Sequence, residues 1–271
     1  MTTLLEVSDL RVTYPRRGFR ARPHEVLHAV SLTVGQGETL GVVGESGSGK
    51  TTIGRSVLGL VAPSGGTVRF QGHDITHAGR QERRALARDI QVVFQDPYSS
   101  LNPALTIGDI LSEPLIVQGA AASAARTRVT ELLDQVGLPK DASQRLPREF
   151  SGGQRQRVAI ARALAPAPRL IVCDEPVSAL DLTTQARVLD LLIDIQRRTG
   201  VAYLFISHDL AVIRHISHRV SVIHRGDIVE TGPAGDVTTS PEHPYTQRLL
   251  LAAPVANPAE QRRRRGARQL L

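Results

Sequence analysis

The chain has 271 residues, 41% of them hydrophobic and 22% charged, with 33 basic against 26 acidic side chains for a net charge of +7. That composition excludes a chain too polar to collapse and supplies the core of one large domain, or of a domain with an appendage. Charges or glycines interrupt every apolar run well short of the roughly 20 residues a spanning helix needs. The first residues have no basic start or apolar stretch of a secretory leader, and the single cysteine, Cys173, excludes an intrachain disulfide, so a reducing compartment is expected. The basicity is local. Arg16, Arg17, Arg20 and Arg22 share one loop, and Arg262, Arg263, Arg264, Arg265 and Arg268 lie near the end, which leaves the rest near neutral. Such runs read first as solvated segments, then as contacts for a partner or anionic lipid, and only third as a nucleic-acid footprint. Lys50 and Lys140 are the only lysines, so arginine fills nearly every other basic position and Lys50 stands out chemically.

In chain order, residues 4–10, 11–14 and 26–34 read as strands, the last two separated by the arginine-rich loop 15–23. Residues 39–43 are a short buried run of the parallel-sheet kind, leading into a glycine-rich loop and a helix over 51–60. Further strands are predicted at 66–71 and 90–94. The character then turns helical, with helices at 107–117, at 121–136 before Gly137, and at 153–164 before Pro166. Buried strands at 170–173 and 201–206 flank a helix over 183–198, and short strands at 220–224 and 227–230 meet at the hairpin-like turn Arg225-Gly226. From Gly232 on, a proline-rich appendage carries one short helix, 245–252. Alternating buried strands and helices indicate an α/β core with a parallel sheet.

Gly44-Glu45-Ser46-Gly47-Ser48-Gly49-Lys50-Thr51 matches the phosphate-loop pattern and sits after a buried strand and at a helix start. Glycines let backbone N–H groups converge on phosphate oxygens, and the helix N-terminus adds positive potential. In that pattern the Lys50 ammonium faces the β and γ phosphates, and the Thr51 hydroxyl is placed to ligate Mg²⁺. Asp174-Glu175 ends a second buried strand; alternation points the two carboxylates apart, with Asp174 expected at the metal and Glu175 at the attacking water. Ser151-Gly152-Gly153-Gln154 precedes a helix and forms a second candidate anion cradle, which one phosphate loop leaves without an evident use in the same subunit.

These residues resemble the nucleotide-binding subunit of an ATP-binding cassette transporter over roughly residues 4–232. The resemblance implies a P-loop NTPase core with a parallel sheet, an N-terminal antiparallel β subdomain, and a helical subdomain inserted at about 96–168, followed by a short extension at 233–271. It implies ATP held by Gly44, Glu45, Ser46, Gly47, Ser48, Gly49, Lys50, Thr51 and Thr52, with the Tyr14 ring on adenine and Phe19 as its rival. Gln95 matches the glutamine that touches Mg²⁺ and the attacking water, so the implied metal ligands are Thr51, Gln95 and Asp174. His208 matches the switch histidine at the γ-phosphate, making Glu175, His208, Gln95 and Lys50 the implied catalytic set. Ser151, Gly152, Gly153 and Gln154 match the signature that closes on a partner's ATP, and Ser178, Ala179, Leu180 and Asp181 the loop crossing the dimer interface. Phe150 stands where the family usually has leucine, and Cys173 reads as a small buried strand residue.

A narrower likeness to importer subunits of the dipeptide, oligopeptide and nickel group rests on Asp96-Pro97-Tyr98-Ser99-Ser100-Leu101-Asn102-Pro103 and on Ser240-Pro241-Glu242-His243-Pro244-Tyr245-Thr246. It implies import of di- or oligopeptides, with nickel or another small solute as the alternative. The implied partners are two membrane-spanning permease subunits, a second nucleotide-binding subunit and an extracytoplasmic solute-binding protein, at the cytoplasmic face of the cell membrane. Some relatives hold an iron–sulfur cluster on cysteines of the extension; this chain has no cysteine there, so none is expected. The rival readings are a soluble cassette ATPase acting on nucleic acid or ribosomes, against which the near-neutral body speaks, and a small-molecule kinase, which leaves 151–154 without purpose. No nucleic-acid partner is expected.

Overall fold

A computed structural model describes residues 2–15 and 23–252. The loop arginines Arg16, Arg17, Arg20 and Arg22, the alternative aromatic Phe19 and the arginines of the tail lie outside the described residues. The elements in chain order are β1 (Thr3–Tyr14), β2 (His24–Gly35), β3 (Thr39–Val43), α1 (Lys50–Val57), β4 (Gly65–Phe70), β5 (His73–Asp74), α2 (Arg80–Leu86), β6 (Ile90–Val93), α3 (Pro97–Ser100), α4 (Ile107–Val117) and α5 (Ala122–Gln135). They continue with α6 (Gly152–Leu164), β7 (Leu170–Asp174), α7 (Leu182–Thr199), β8 (Ala202–Ser207), α8 (Leu210–Ile216), β9 (Arg219–His224), β10 (Asp227–Pro233), α9 (Ala234–Thr239) and α10 (Pro244–Ala252). Among the described residues no helix is long and apolar enough to cross a membrane.

Two compact units divide the chain, the first comprising Met1–Ala78 and Leu204–Leu271, the second Gly79–Tyr203. In the first, β2, β1, β4 and β5 lie side by side in that order, with β1 antiparallel to both β2 and β4. The expected break between residues 10 and 11 is absent: β1 is one strand, with register shifts around Leu10 and Asp9 at φ +50°. A bulge there absorbs the extra residue, so the strand bends without ending. Beyond this sheet, β9 pairs antiparallel with β10 and parallel with β3. Every residue of β3 is buried, which is why its sequence is an unbroken small and apolar run. A Cβ on Gly41 would lie 2.5 Å from Ser217 Oγ and 2.9 Å from Ile213, so glycine lets α8 pack flush on β3. Arg225 and Gly226 both have positive φ, the conformation of a two-residue hairpin whose twist matches its strands. The core holds Leu5, Leu10, Leu27, Leu40, Ile53 and Phe205, each worth roughly 1.5–3 kcal/mol when fully buried.

In the second unit β6 and β7 pair in parallel, and the helices pack on one another through Ile107, Leu111, Leu132 and Leu133. The helix ends carry the signals expected of them. Thr106 caps α4 by accepting from Asp109 N at 3.2 Å, Asp181 caps α7 by accepting from Thr184 N at 3.0 Å, and Gly200 closes α7 at φ +71°. The strand β8 begins in this unit, where Tyr203 is fully buried and donates to the Leu192 carbonyl at 3.1 Å, and continues in the first. Cys173 is buried in β7, where desolvation pushes its thiol pKa far up and leaves it inert.

The sequence reading missed β5, α2, α3, α8 and α9, of which β5 and α3 span only two and four residues. α2 buries no residue and so carries no apolar stripe, α8 spans only seven residues, and α9 stands where one helix rather than two was expected beyond residue 232.

Candidate functional site

In the first unit, β3 delivers the chain to Gly44 at the mouth of a loop that closes on itself: Ser48 N donates to the Glu45 carbonyl at 3.2 Å. A Cβ on Gly44 would overlap the Ile223 carbonyl oxygen, and one on Gly49 would stand 2.6 Å from Leu27. Gly47 and Gly49 lie at φ +81° and +111°, so the loop path demands glycine twice for its conformation as well as its contacts. Lys50, only 4% exposed, donates from Nζ to the carbonyls of Gly44 and Glu45, both at 2.8 Å. An ammonium held by two carbonyls at the N-terminus of α1 is positioned for anionic oxygen. The Ser48 hydroxyl is buried without a hydrogen-bond partner in the described structure. Thr51 is half-buried in the first turn of α1, Thr52 is buried, and Glu45 and Ser46 are exposed. No side chain caps α1, whose N-cap is Gly49.

The same unit holds Tyr14, His208 and a residue the sequence reading did not single out for the site. Tyr14 is half-buried at the last position of β1, opposite His24. His208 is exposed just past β8, and Asp209 behind it caps α8 by accepting from Ala211 N at 2.7 Å. Tyr245 of α10 accepts a hydrogen bond from Glu45 N at 3.1 Å. Burial pushes its phenol pKa up, so the ring is neutral at ordinary pH.

The second unit carries the rest. Gln95 is exposed two residues past β6, and Asp96 turns the chain into α3 by accepting from Tyr98 N at 2.8 Å. β7 ends on Asp174, and Glu175 follows with φ +50°. Glu175 therefore lies outside the strand, in a left-handed backbone, so strand alternation does not set the relation of the two carboxylates, a correction to the sequence reading. The Glu175 carbonyl accepts from Ser178 N at 3.3 Å and Ser178 Oγ at 3.1 Å, which holds that conformation. Ser178 and Ala179 are exposed, and Leu180 is half-buried. Asp181 is exposed, and its bonds from Thr184 hold its carboxyl below the usual carboxylate range.

The start of α6 is a capping box. Ser151 Oγ accepts from Gln154 N at 3.3 Å while Gln154 Oε1 accepts from Ser151 N at 2.9 Å. Gly153 is buried where a Cβ would overlap Thr184 Cγ2, and a Cβ on Gly152 would sit 3.8 Å from Leu180 Cδ2. Residues 151–154 and 178–184, read separately from the sequence, are thus neighbours. Arg155 lies 4.1 Å over the Tyr98 ring and donates from Nε to the Phe150 carbonyl at 3.0 Å, binding the 96–103 segment to this helix start. Phe150 is 5% exposed, so its extra volume over leucine is accommodated in packing.

Three residues expected at a metal, Thr51, Gln95 and Asp174, offer hydroxyl, amide and carboxylate oxygens, the hard donors that Mg²⁺ prefers. Among the described residues no cluster of three or more His, Cys, Asp or Glu could hold a metal ion, and Mg²⁺ bound largely through phosphates and water needs none.

The family pattern described as ABC transporter matches residues 27–178. The glutathione import ATP-binding protein GsiA of Escherichia coli (strain K12) is 51% identical over 267 residues, covering 97% of this chain and 43% of that protein. The chain thus spans less than half the length of the curated relatives it matches. Among solved structures, a dimer of the ATP-binding cassette MJ0796 in a post-hydrolysis state with ADP and Pi superposes with a TM-score of 0.76 at 29% identity, covering 85% of this chain and 99% of that one. CbiO1 from Clostridium perfringens, part of the ABC transporter complex cbiONQ, gives 0.79 at 25% identity, covering 89% and 92%. With the α/β fold, the glycine loop around Lys50 and the matched span in agreement, this chain belongs to the ABC transporter family.

Proposed function

We propose that this chain binds and hydrolyses ATP to power import of a small solute of the di- or oligopeptide class through separate membrane-spanning subunits. The observation that carries the reading is the Gly44–Thr51 cradle, with Lys50 held by two loop carbonyls, in a chain 51% identical to a glutathione import ATP-binding protein. Glutathione is itself a small peptide. Residues 1–232 form the nucleotide-binding domain in this reading, with a helical subdomain at about 96–168 and an extension at 233–271.

The roles follow residue by residue. Residues 44–52 bind the phosphates through backbone N–H groups other than that of Glu45, which Tyr245 holds, Lys50 and His208 steady charge on the γ-phosphoryl oxygens, and Tyr14 stacks on adenine. Glu175 orients and deprotonates the attacking water, with Gln95 holding that water in line. Thr51, Gln95 and Asp174 would hold Mg²⁺, which when bound would supply positive charge against the phosphates. Residues 151–154 bind the ATP of a second nucleotide-binding subunit, and Ser178, Ala179, Leu180 and Asp181 line the interface between the two subunits. ATP that contacts both subunits only when they close shifts them toward closure, and hydrolysis reopens them. The partners are two permease subunits and, through them, an extracytoplasmic solute-binding protein, which places the chain at the cytoplasmic face of the cell membrane.

The test is ATP hydrolysis by the purified chain with and without its membrane partners and a solute-binding protein loaded with candidate peptides or Ni²⁺. Stimulation by membrane partners and one loaded solute is expected; indifference to them, with a response to DNA, RNA or ribosomes, overturns the importer reading. Glu175→Gln should lower turnover by about 10²–10⁴ while ATP binding persists, as expected for loss of a general base. Ser151→Arg should abolish cooperative hydrolysis in the assembled complex.

A further inference from the structure

Tyr245 is 4% exposed, its ring stacked on His224 with centroids 3.9 Å apart and planes 23° from parallel. Its hydroxyl accepts the N–H of Glu45, a residue 200 positions earlier in the chain. The carbonyl of that same Glu45 accepts from Lys50 Nζ at 2.8 Å. The backbone of one loop residue is therefore held at its nitrogen by α10 and at its oxygen by the lysine.

The entry to α10 is fixed without help from the loop. The Glu230 carboxylate, on β10, accepts from Glu242 N at 2.8 Å and His243 N at 3.2 Å. His243 Nδ1 accepts from Tyr245 N at 3.1 Å, and Gln247 Nε2 donates to the Pro241 carbonyl at 3.0 Å. These bonds and the His224 stack hold the start of α10 and the Tyr245 ring by contacts other than the hydroxyl's bond to the loop.

We infer that Tyr245 is a positioning residue for the phosphate loop: by holding the Glu45 N–H it fixes the peptides whose carbonyls hold Lys50, and so keeps the loop in its nucleotide-ready form. The inference rests on the ATP-binding reading and adds to it a coupling between the segment after residue 232 and nucleotide affinity. Tyr245 itself touches no phosphate. Its effect is preorganisation, since a loop that visits other conformations binds with an affinity reduced by the fraction of time it is competent.

Tyr245→Phe in the full chain separates this role from simple anchoring, because the ring and its stack remain and only the acceptor oxygen is lost. Losing one hydrogen bond of ordinary net strength should raise the Kd for ATP and for ADP by about 2- to 10-fold, with KM rising in step, kcat unchanged and the melting temperature of the unliganded protein lowered by no more than the loss of that one bond. Tyr245→Ala, which also removes the stack, should lower the melting temperature further. A Tyr245→Phe protein that binds ATP and ADP as tightly as the wild type overturns the positioning role while leaving the nucleotide reading intact. A wild-type chain that binds neither overturns the nucleotide reading and the positioning role with it.

Discussion

α1 and α6 both begin on glycine-bearing loops, and their N-termini are completed in opposite ways. α1 starts from Gly49 at φ +111° with no side-chain cap, and its loop is held by distant partners: Gly226 N donates to the Ser48 carbonyl at 3.0 Å, and Tyr245 takes the Glu45 N–H. α6 starts from Ser151 in an extended conformation and is closed by its own capping box with Gln154. Glycine serves the first helix through backbone conformation and close approach, and the second through close approach alone, because Thr184 leaves no room beside Gly153. A helix start left open for a ligand needs support from elsewhere in the chain, whereas one capped by its own side chains carries its support within four residues.

Between these two helix starts the largest effect should come from Gly44→Ala. The new methyl meets the Ile223 carbonyl, a backbone atom in a buried strand that has nowhere to go. Overpacking of this kind costs typically about 1–3 kcal/mol, and here the loop itself must shift, so ATP affinity should fall by more than tenfold in equilibrium binding. Gly153→Ala should destabilise by a similar amount in denaturant unfolding, but through a side chain: Thr184→Ser removes the opposing methyl and should recover most of the loss in the double variant. Failure of that rescue would mean Gly153 is required for its backbone after all.

Ser151→Ala removes half of the box and should cost about 1 kcal/mol by the same measurement. No cost would remove the contrast with α1. The smallest effect concerns pH. His28 Nδ1 lies 3.1 Å from Asp227, beside the Gly226 that supports the loop, and hydrogen bonding to this carboxylate raises the His28 pKa above its ordinary value of 6.5. A raised folded-state pKa gives stability that is present below the unfolded value and lost as pH rises through the folded one. Both side chains are substantially exposed, so Asp227→Asn should cost no more than about 0.2–1 kcal/mol in acid and nothing in alkali, readable as a melting-temperature difference that vanishes with rising pH.

Most of the fold was legible where one short stretch carries its own signal. The run at 39–43, the glycine loop, the helix over 107–117, the start of α6 and the Arg225-Gly226 turn follow from hydrophobic pattern, capping residues and turn chemistry, which act over a few positions. Short or stripe-poor elements such as α2 and α8 left no such pattern.

The sequence by itself determined which residues have the chemistry of a phosphate site and the order in which strands and helices present them, because motif spacing and periodicity are local properties. Only the tertiary structure decided that Glu175 leaves its strand in a left-handed conformation, that Gly153 answers to Thr184, and that Tyr245 reaches the Glu45 backbone across 200 residues. The last two join groups far apart in the chain, and their geometry exists only once the elements between them have packed, whereas the Glu175 conformation, held by Ser178 three residues on, leaves no periodic pattern in the sequence.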